Sequence, residues 1–277
     1  MDLILIKENY LNYVKGYYSQ GTYECYCSHL NFIVNYFNSI NIADASELTR
    51  DNLTKYLNYE KSKNISNSTI NKRINVLRRS LEFSNIEYDL FCFKTLKEKF
   101  ITFNYITENE LINIINYVDN SKLSIQNKLI FFLLLETGMR RKEIINIKVK
   151  NIFQDKRAIL LTFTKENTER YVIYSDYSDK YLKLYLHEYK SEILFADITV
   201  QAINSFLRRL QKNLDLKHLS SYVLRHSFAT MYLNNKGNIE ILRKLMGHKS
   251  LTTTMRYLHT SLDDIINNYN NTFPKLK

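Results

Sequence analysis

Five glycines and a single proline in 277 residues constrain this chain more than any other feature. Hairpin turns and sandwich loops consume Gly and Pro, and helix interiors reject them. So few breakers over such a length argue against a many-turned sandwich or barrel and for long helices. Hydrophobic residues make up 45% of the chain, enough for a sizeable core, which excludes wholesale disorder. The length fits one large or two ordinary domains. No stretch approaches 18 apolar residues without charge, so a membrane span is not expected. The opening residues, Met1 to Glu8, carry acids and no basic leader, so they do not read as a signal peptide. Cys25, Cys27 and Cys92 have no pairing rhythm and fit a reducing cytoplasm.

Apolar spacing predicts helices over residues 3–17, from about Thr22 through Phe37, over 46–61 and over 66–83. Lys63, Lys72, Arg73, Arg78 and Arg79 lie between residues 62 and 80 with no acid among them. That run is either a solvated face or the surface with which four helices clamp DNA. The pattern breaks over 92–106, and the domain boundary is placed there: 1–98 as an N-terminal helical domain and 106–277 as a second one. Thr107 and Glu110 have capping-box spacing at the start of a new helix. One β signal follows, two strand-like runs at 158–164 and 170–174 around the polar turn Lys165–Glu169. Helices are expected at roughly 109–118, 126–137, 141–147, 177–189, 199–213, 221–234, 238–246 and 251–270. The net charge of +11 suggests a polyanionic partner. It is uneven: residues 1–100 hold 13 Lys and Arg against 11 Asp and Glu, and residues 101–277 hold 26 against 17.

Four stretches interrupt good hydrophobic patterns with polar residues. In Thr137-Gly138-Met139-Arg140-Arg141-Lys142-Glu143-Ile144 an apolar helix ends at a glycine, and Arg140 sits in the joint before the next. Lys165 opens the hairpin turn. In Tyr222-Val223-Leu224-Arg225-His226 the Tyr and Arg are three apart, on one helix face. In Leu245-Met246-Gly247-His248-Lys249-Ser250, Gly247 suits a helix C-cap and Ser250 the next N-cap. Tyr257 follows on that helix. Singly, each has an ordinary structural explanation: a capping Arg, a solvated Lys, a packed His or Tyr.

In this order and spacing they resemble the tyrosine recombinase (phage integrase) family in its Xer-like form, over about residues 107–260. Thr137–Ile144 is similar to the family's first arginine box, Thr164–Arg170 to its hairpin lysine element and Val223–Thr230 to its second arginine box. Leu245–His248 with Thr253–His259 is similar to its last box. The resemblance implies a mainly α fold: a four-helix core-binding domain and a helical catalytic domain with a small antiparallel sheet. It implies strand transfer through a covalent 3′-phosphotyrosyl intermediate, with Tyr257 as nucleophile. Arg140, Arg225 and His248 would hold the phosphate and Lys165 would protonate the leaving oxygen. Glu143 and His226 would support them, and Lys63, Lys72, Arg73, Arg78 and Arg79 would contact DNA. The family usually has His three residues before the second Arg; this chain has Tyr222, which leaves the general base open. No cofactor is implied, because the covalent link conserves the bond energy. No metal is implied, and His226, His248 and His259 lack a helix-spaced ligand pair.

The implied partner is double-stranded DNA with specific recombination sites. The chain would act as a tetramer in the synaptic complex and rest as a monomer. Accessory proteins are left open and no membrane is involved, so the expected place is the cytoplasm at the nucleoid. Helices beginning near residue 3 suggest a simple two-domain member, and Tyr222 tilts the reading toward a mobile element. Three other readings stand beside it: a helical DNA-binding regulator, a type IB topoisomerase and an inactive integrase-like architectural protein.

Overall fold

The structure is a computed structural model that describes residues 1–86, 95–98, 105–163 and 169–257. The chain divides into two compact units, Met1–Ile101 and Thr102–Lys277.

The first unit is built from α1 (Leu3–Tyr17), α2 (Gln20–Ser39), α3 (Arg50–Ser62) and α4 (Asn67–Phe83). Each starts where a short polar side chain accepts from the first free backbone N–H groups: Asp2, Ser19, Thr49 and Ser66. Ser19, not Thr22, caps α2. Ser19 accepts from the Thr22 amide, and their two hydroxyls lie 3.0 Å apart. The helix expected from residue 46 begins at Arg50. Asp44 and Glu47 first form their own capping box around a 3-10 turn, Ala45–Glu47, and Thr49 then caps α3. The core is a stripe from each helix, including Leu3, Ile6, Leu30, Ile33, Phe37, Leu53, Tyr56, Ile70 and Leu77.

The expected basic face is corrected at Arg73. Arg73 is buried, its guanidinium donates to both Glu60 carboxylate oxygens at 2.6–2.7 Å, and it lies over the Phe32 ring. A buried, paired cation is part of the interior and not a DNA contact. Lys63, Lys72 and Arg79 are exposed and Arg78 is half-buried. Arg79 donates to the Tyr26 hydroxyl.

The second unit begins with α5 (Glu108–Asn120), capped by the Thr107–Glu110 box, and α6 (Ile125–Thr137). α6 is buried on nearly every side from Leu129 to Leu135, so it is the axis of this core. α7 (Arg141–Ile144) is three residues shorter than expected. The chain leaves it to run beside residues 192–194, where the Ile147 carbonyl accepts from Leu194 and Val149 donates to Glu192.

A three-stranded antiparallel sheet follows: β1 (Ile152–Phe153), β2 (Ala158–Leu161) and β3 (Arg170–Ile173), in the order β1-β2-β3. The β2–β3 register runs from Ala158 opposite Ile173 to Leu161 opposite Arg170. β1 was not expected, because two residues carry no periodicity. The remaining elements are α8 (Asp176–Glu188), α9 (Val200–Asn213), α10 (Ser221–Asn234), α11 (Ile239–Met246) and α12 (Leu251–Met255). The expected extension of the last helix to residue 270 lies outside the described residues. Among the described residues no helix is long and apolar enough to cross a membrane.

Candidate active site

Two left-handed glycines position the site. Gly138 (φ +59°) ends α6, and a Cβ there would lie 2.5 Å from the Phe228 ring. Gly247 (φ +63°) ends α11. Glycine takes this backbone at the least cost. Each therefore stops a helix abruptly and turns its last carbonyls toward the same place.

Arg225 of α10 fills that place. It is 7% exposed, donates from Nη1 to the Gly138 carbonyl and from Nη2 to the Met246 carbonyl at 2.6 Å, and meets His248 Nε2 at 3.1 Å. One guanidinium thus ties the first arginine box to the last box, using its fixed fork of donors. Burial, then the repulsion of Arg140, lowers its pKa to about 9, so it remains charged at neutral pH.

His248 is also buried. Arg225 can only donate, so Nε2 accepts, and the ring proton sits on Nδ1 and is given to Thr254 Oγ1 at 2.9 Å. Burial, then the charges of Arg225 and Arg140, pulls the imidazole down to about 4. In this arrangement His248 is neutral. The hydrogen bond expected from it to a phosphate requires the ring to gain a proton or to release Arg225.

Arg140 caps α7 and is part-exposed, with Nη1 3.1 Å from Glu143 Oε1. Glu143 also accepts the Arg140 amide at 2.7 Å. Its main partner is one the sequence reading passed over, Arg170. That guanidinium donates to both Glu143 oxygens at 2.7 and 2.9 Å and from Nε to the Leu245 carbonyl at 2.8 Å. Burial raises the Glu143 pKa, but the hydrogen bonds and charge of Arg170, then Arg140, outweigh it and hold the carboxyl below its usual range. Strand parity puts Arg170 on the same face as Val172, but the sequence does not say which face of so short a strand is inward. Arg170 shares the inward face of β3 with Val172, where an apolar residue would ordinarily stand.

Tyr257, just past α12, is 7% exposed and packs with Ala229, Leu242 and Met246. Its ring lies parallel to His248 at 6.3 Å between centroids and tilted to His226 at 5.0 Å. Burial pushes the phenol up to about 12, against the opposing charges of Arg225 and Arg140. Tyr222 is 58% exposed, and its ring meets His226 edge-on at 3.9 Å. Burial raises its pKa too, opposed by Arg256 and Arg225. Tyr222 and Arg225 share α10, but the first faces outward and the second inward. Lys165 and His259 lie outside the described residues.

Arg140, Arg225, His248 and Tyr257, drawn from three separate stretches of chain, therefore share one electrostatic neighbourhood. It is a cationic cradle beside a phenol, suited to binding a tetrahedral oxyanion next to an oxygen nucleophile.

Comparison with known proteins agrees. The phage integrase family matches residues 104–263, and the phage integrase N-terminal SAM-like domain matches residues 8–85. Tyrosine recombinase XerA of Saccharolobus solfataricus is 32% identical over 225 residues, covering 81% of this chain and 74% of that protein. Tyrosine recombinase XerC of Lactobacillus leichmannii is 30% identical over 197 residues, 65% of each. The fold superposes on the Tn1549 transposon integrase in complex with a circular intermediate DNA. The TM-score is 0.82 at 15% identity, covering 98% of this chain and 99% of that one. It also superposes on XerH bound to its difH substrate, with a TM-score of 0.74 at 19% identity, over 92% and 80%. The chain belongs to the phage integrase family and is a tyrosine-type site-specific recombinase, an enzyme that cuts and rejoins DNA.

Proposed function

We propose that Tyr257 attacks a backbone phosphate at a specific DNA site, forms a 3′-phosphotyrosyl link and frees a 5′-hydroxyl. The hydroxyl of a second strand then reverses the step. The convergence of Arg140, Arg225, His248 and Tyr257 carries this reading. Charge gathers on the non-bridging oxygens in the transition state, and prepositioned cations stabilise it without reorganisation. Arg140 and the remaining donors of Arg225 grip those oxygens. His248 joins them once the phosphate's charge favours its protonated form. Glu143 and Arg170 hold Arg140 in place. Lys165 gives its proton to the leaving 5′-oxygen. Tyr222, outward on α10, donates to a non-bridging oxygen.

Residues 1–98 form the DNA clamp and 106–277 the catalytic domain. Lys63, Lys72, Arg78 and Arg79 supply phosphate contacts. Two specific sites are paired by four copies of a chain that is monomeric when free, in the cytoplasm at the nucleoid. The tail from Asp263 onward links neighbouring copies. The scheme uses no metal or cofactor. The Tn1549 transposon integrase among the structural neighbours, in complex with a circular intermediate DNA, favours service to a mobile element.

The test begins by selecting bound DNA from a random pool. The selected site, nicked beside the cleavage point, should trap a protein–DNA adduct that survives boiling in detergent. Lys165→Ala should trap it slowly, and recover on DNA whose 5′-bridging oxygen is sulfur. Joining of two sites, against mere relaxation of supercoils, separates a recombinase from a topoisomerase. Failure to trap any adduct would leave an architectural DNA-binding protein.

A further inference from the structure

Of the three successive threonines on α12, Thr252 and Thr253 are exposed and Thr254 is completely buried. A buried hydroxyl is costly unless it is hydrogen-bonded. Thr254 Oγ1 lies 2.9 Å from His248 Nδ1, and the Thr254 carbonyl accepts the Tyr257 amide at 3.1 Å. One residue therefore meets the histidine of the last box with its side chain and the backbone of the tyrosine with its main chain. Ser250 sets this register. Its hydroxyl accepts from Thr252 and its carbonyl from Thr253, which starts α12 so that residues 254 and 257, three apart, both face inward.

The backbone of His248 is clasped by Arg243. The Arg243 carbonyl accepts the His248 amide at 3.1 Å, and Arg243 Nη1 donates to the His248 carbonyl at 2.9 Å. What remains to be fixed is the ring. A neutral imidazole has one N–H and one lone pair, and two tautomers distribute them. Arg225 asks only for a lone pair, which it meets at Nε2, 3.1 Å away. Thr254 supplies the second constraint. It accepts the proton that Arg225 leaves on Nδ1, and a ring turned over would face it with a C–H instead. Thr254 is β-branched, so its hydroxyl has few rotamers to choose from. We propose that Thr254 is a positioning residue of this active site: its hydroxyl holds His248 as the Nδ1–H tautomer with Nε2 toward the arginines, while its carbonyl keeps Tyr257 in step with that ring. This rests on the recombinase reading above.

With Nδ1 committed to Thr254, Nε2 is the nitrogen turned to the phosphate cradle in either charge state of the ring. Removing the hydroxyl leaves a buried N–H without an acceptor. The ring is then better satisfied turned over or in its other tautomer. Either change withdraws the Nε2 lone pair from Arg225 and misplaces the donor that the phosphate is to meet.

The experiment compares wild type with Thr254→Val, which keeps the branched shape without the hydroxyl, and Thr254→Ser, which keeps the hydroxyl without the methyl. The first readout is the ¹⁵N spectrum of histidine-labelled protein without DNA, with the His248 ring assigned by His248→Gln. Wild type and Thr254→Ser should show His248 as the Nδ1–H tautomer alone, and Thr254→Val should show a mixture or the other tautomer. The second is single-turnover cleavage of the nicked substrate. Thr254→Val should cleave about 10- to 100-fold more slowly, the scale for a partner that orients a histidine ligand. Its half-site affinity should be unchanged, and Thr254→Ser should stay close to the wild-type rate. Thermal melting checks each fold, and Thr254→Ala carries the test if the valine variant does not fold. A His248 ring indifferent to loss of the hydroxyl, a wild-type cleavage rate without it, or a serine variant as slow as the valine one would each overturn the assignment. A wild type that traps no adduct would overturn the recombinase reading, and the spectra, which need no DNA, keep that failure distinct from this one.

Discussion

At the scale of single residues, the site holds Tyr257, the proposed nucleophile, in reserve. A phenol at about 12 is protonated at neutral pH. If Tyr257 attacks, its proton must be lost as the bond to phosphorus forms. Tyr222 is proposed to donate to a phosphate oxygen, so Tyr222→Phe should slow cleavage roughly 10- to 1000-fold, the scale for losing one transition-state donor. Tyr222→His should keep most activity. A phenylalanine variant at the wild-type rate would show that the hydroxyl takes no part. His226 and His248 fall from an ordinary 6.5 to about 4 on folding. Below pH 6.5 the unfolded chain takes up protons that the folded one refuses. Stability is therefore full above pH 6.5 and lost progressively toward pH 4. Denaturant midpoints across that range should show the decline, and His226→Phe should flatten part of it.

Arg140 and His248 were legible as candidates because each breaks a hydrophobic pattern beside a glycine that ends a helix. Arg170 was not, since a four-residue strand does not declare which face is inward. Arg73 was misread because its partner Glu60 is 13 residues away on another helix, and a run of basic residues looks the same with or without one.

At the scale of elements, the helix ends matter more than the helices. α6 and α11 stop at left-handed glycines, and Arg225 binds the carbonyl of Gly138 and that of Met246. A Cβ on Gly247 would lie 2.9 Å from Arg170 Nη1. Gly247→Ala should thus strain the cap and disturb the Glu143 pair together, lowering both stability and cleavage. Arg170→Met leaves Glu143 buried with only Arg140, and should destabilise by about 3 to 5 kcal/mol. Urea titration measures both; an unshifted midpoint for Arg170→Met would mean that Arg140 alone suffices for the carboxylate. Helix number and core stripes were readable from period and caps. Starts were displaced where two capping residues compete, as at Ser19 and Thr22. The end of α7 was displaced where residues 147–149 pair with 192–194.

At the scale of the whole molecule, the net charge of +11 and its concentration beyond residue 100 make affinity a salt-dependent quantity. Binding should weaken steeply as salt rises, because each phosphate contact releases counterions, while excess chelator should leave cleavage unchanged. Cleavage lost in chelator and restored by magnesium would contradict the metal-free scheme. Deleting residues 263–277, which lie outside the described residues, should preserve half-site binding and weaken cooperative assembly on a full site. Unchanged cooperativity would place that tail's role within its own subunit. The two-unit organisation, the sheet and the family were foreshadowed by composition and motif order, and the departure at Tyr222 was visible too. Tyr257 is proposed to become covalently joined to DNA. Protease and nuclease digestion of the trapped adduct, followed by mass spectrometry, addresses it directly. A peptide carrying a nucleotide through its 3′-phosphate on Tyr257 is expected, absent from Tyr257→Phe. A nucleotide on any other side chain, or linked through its 5′-phosphate, would contradict it.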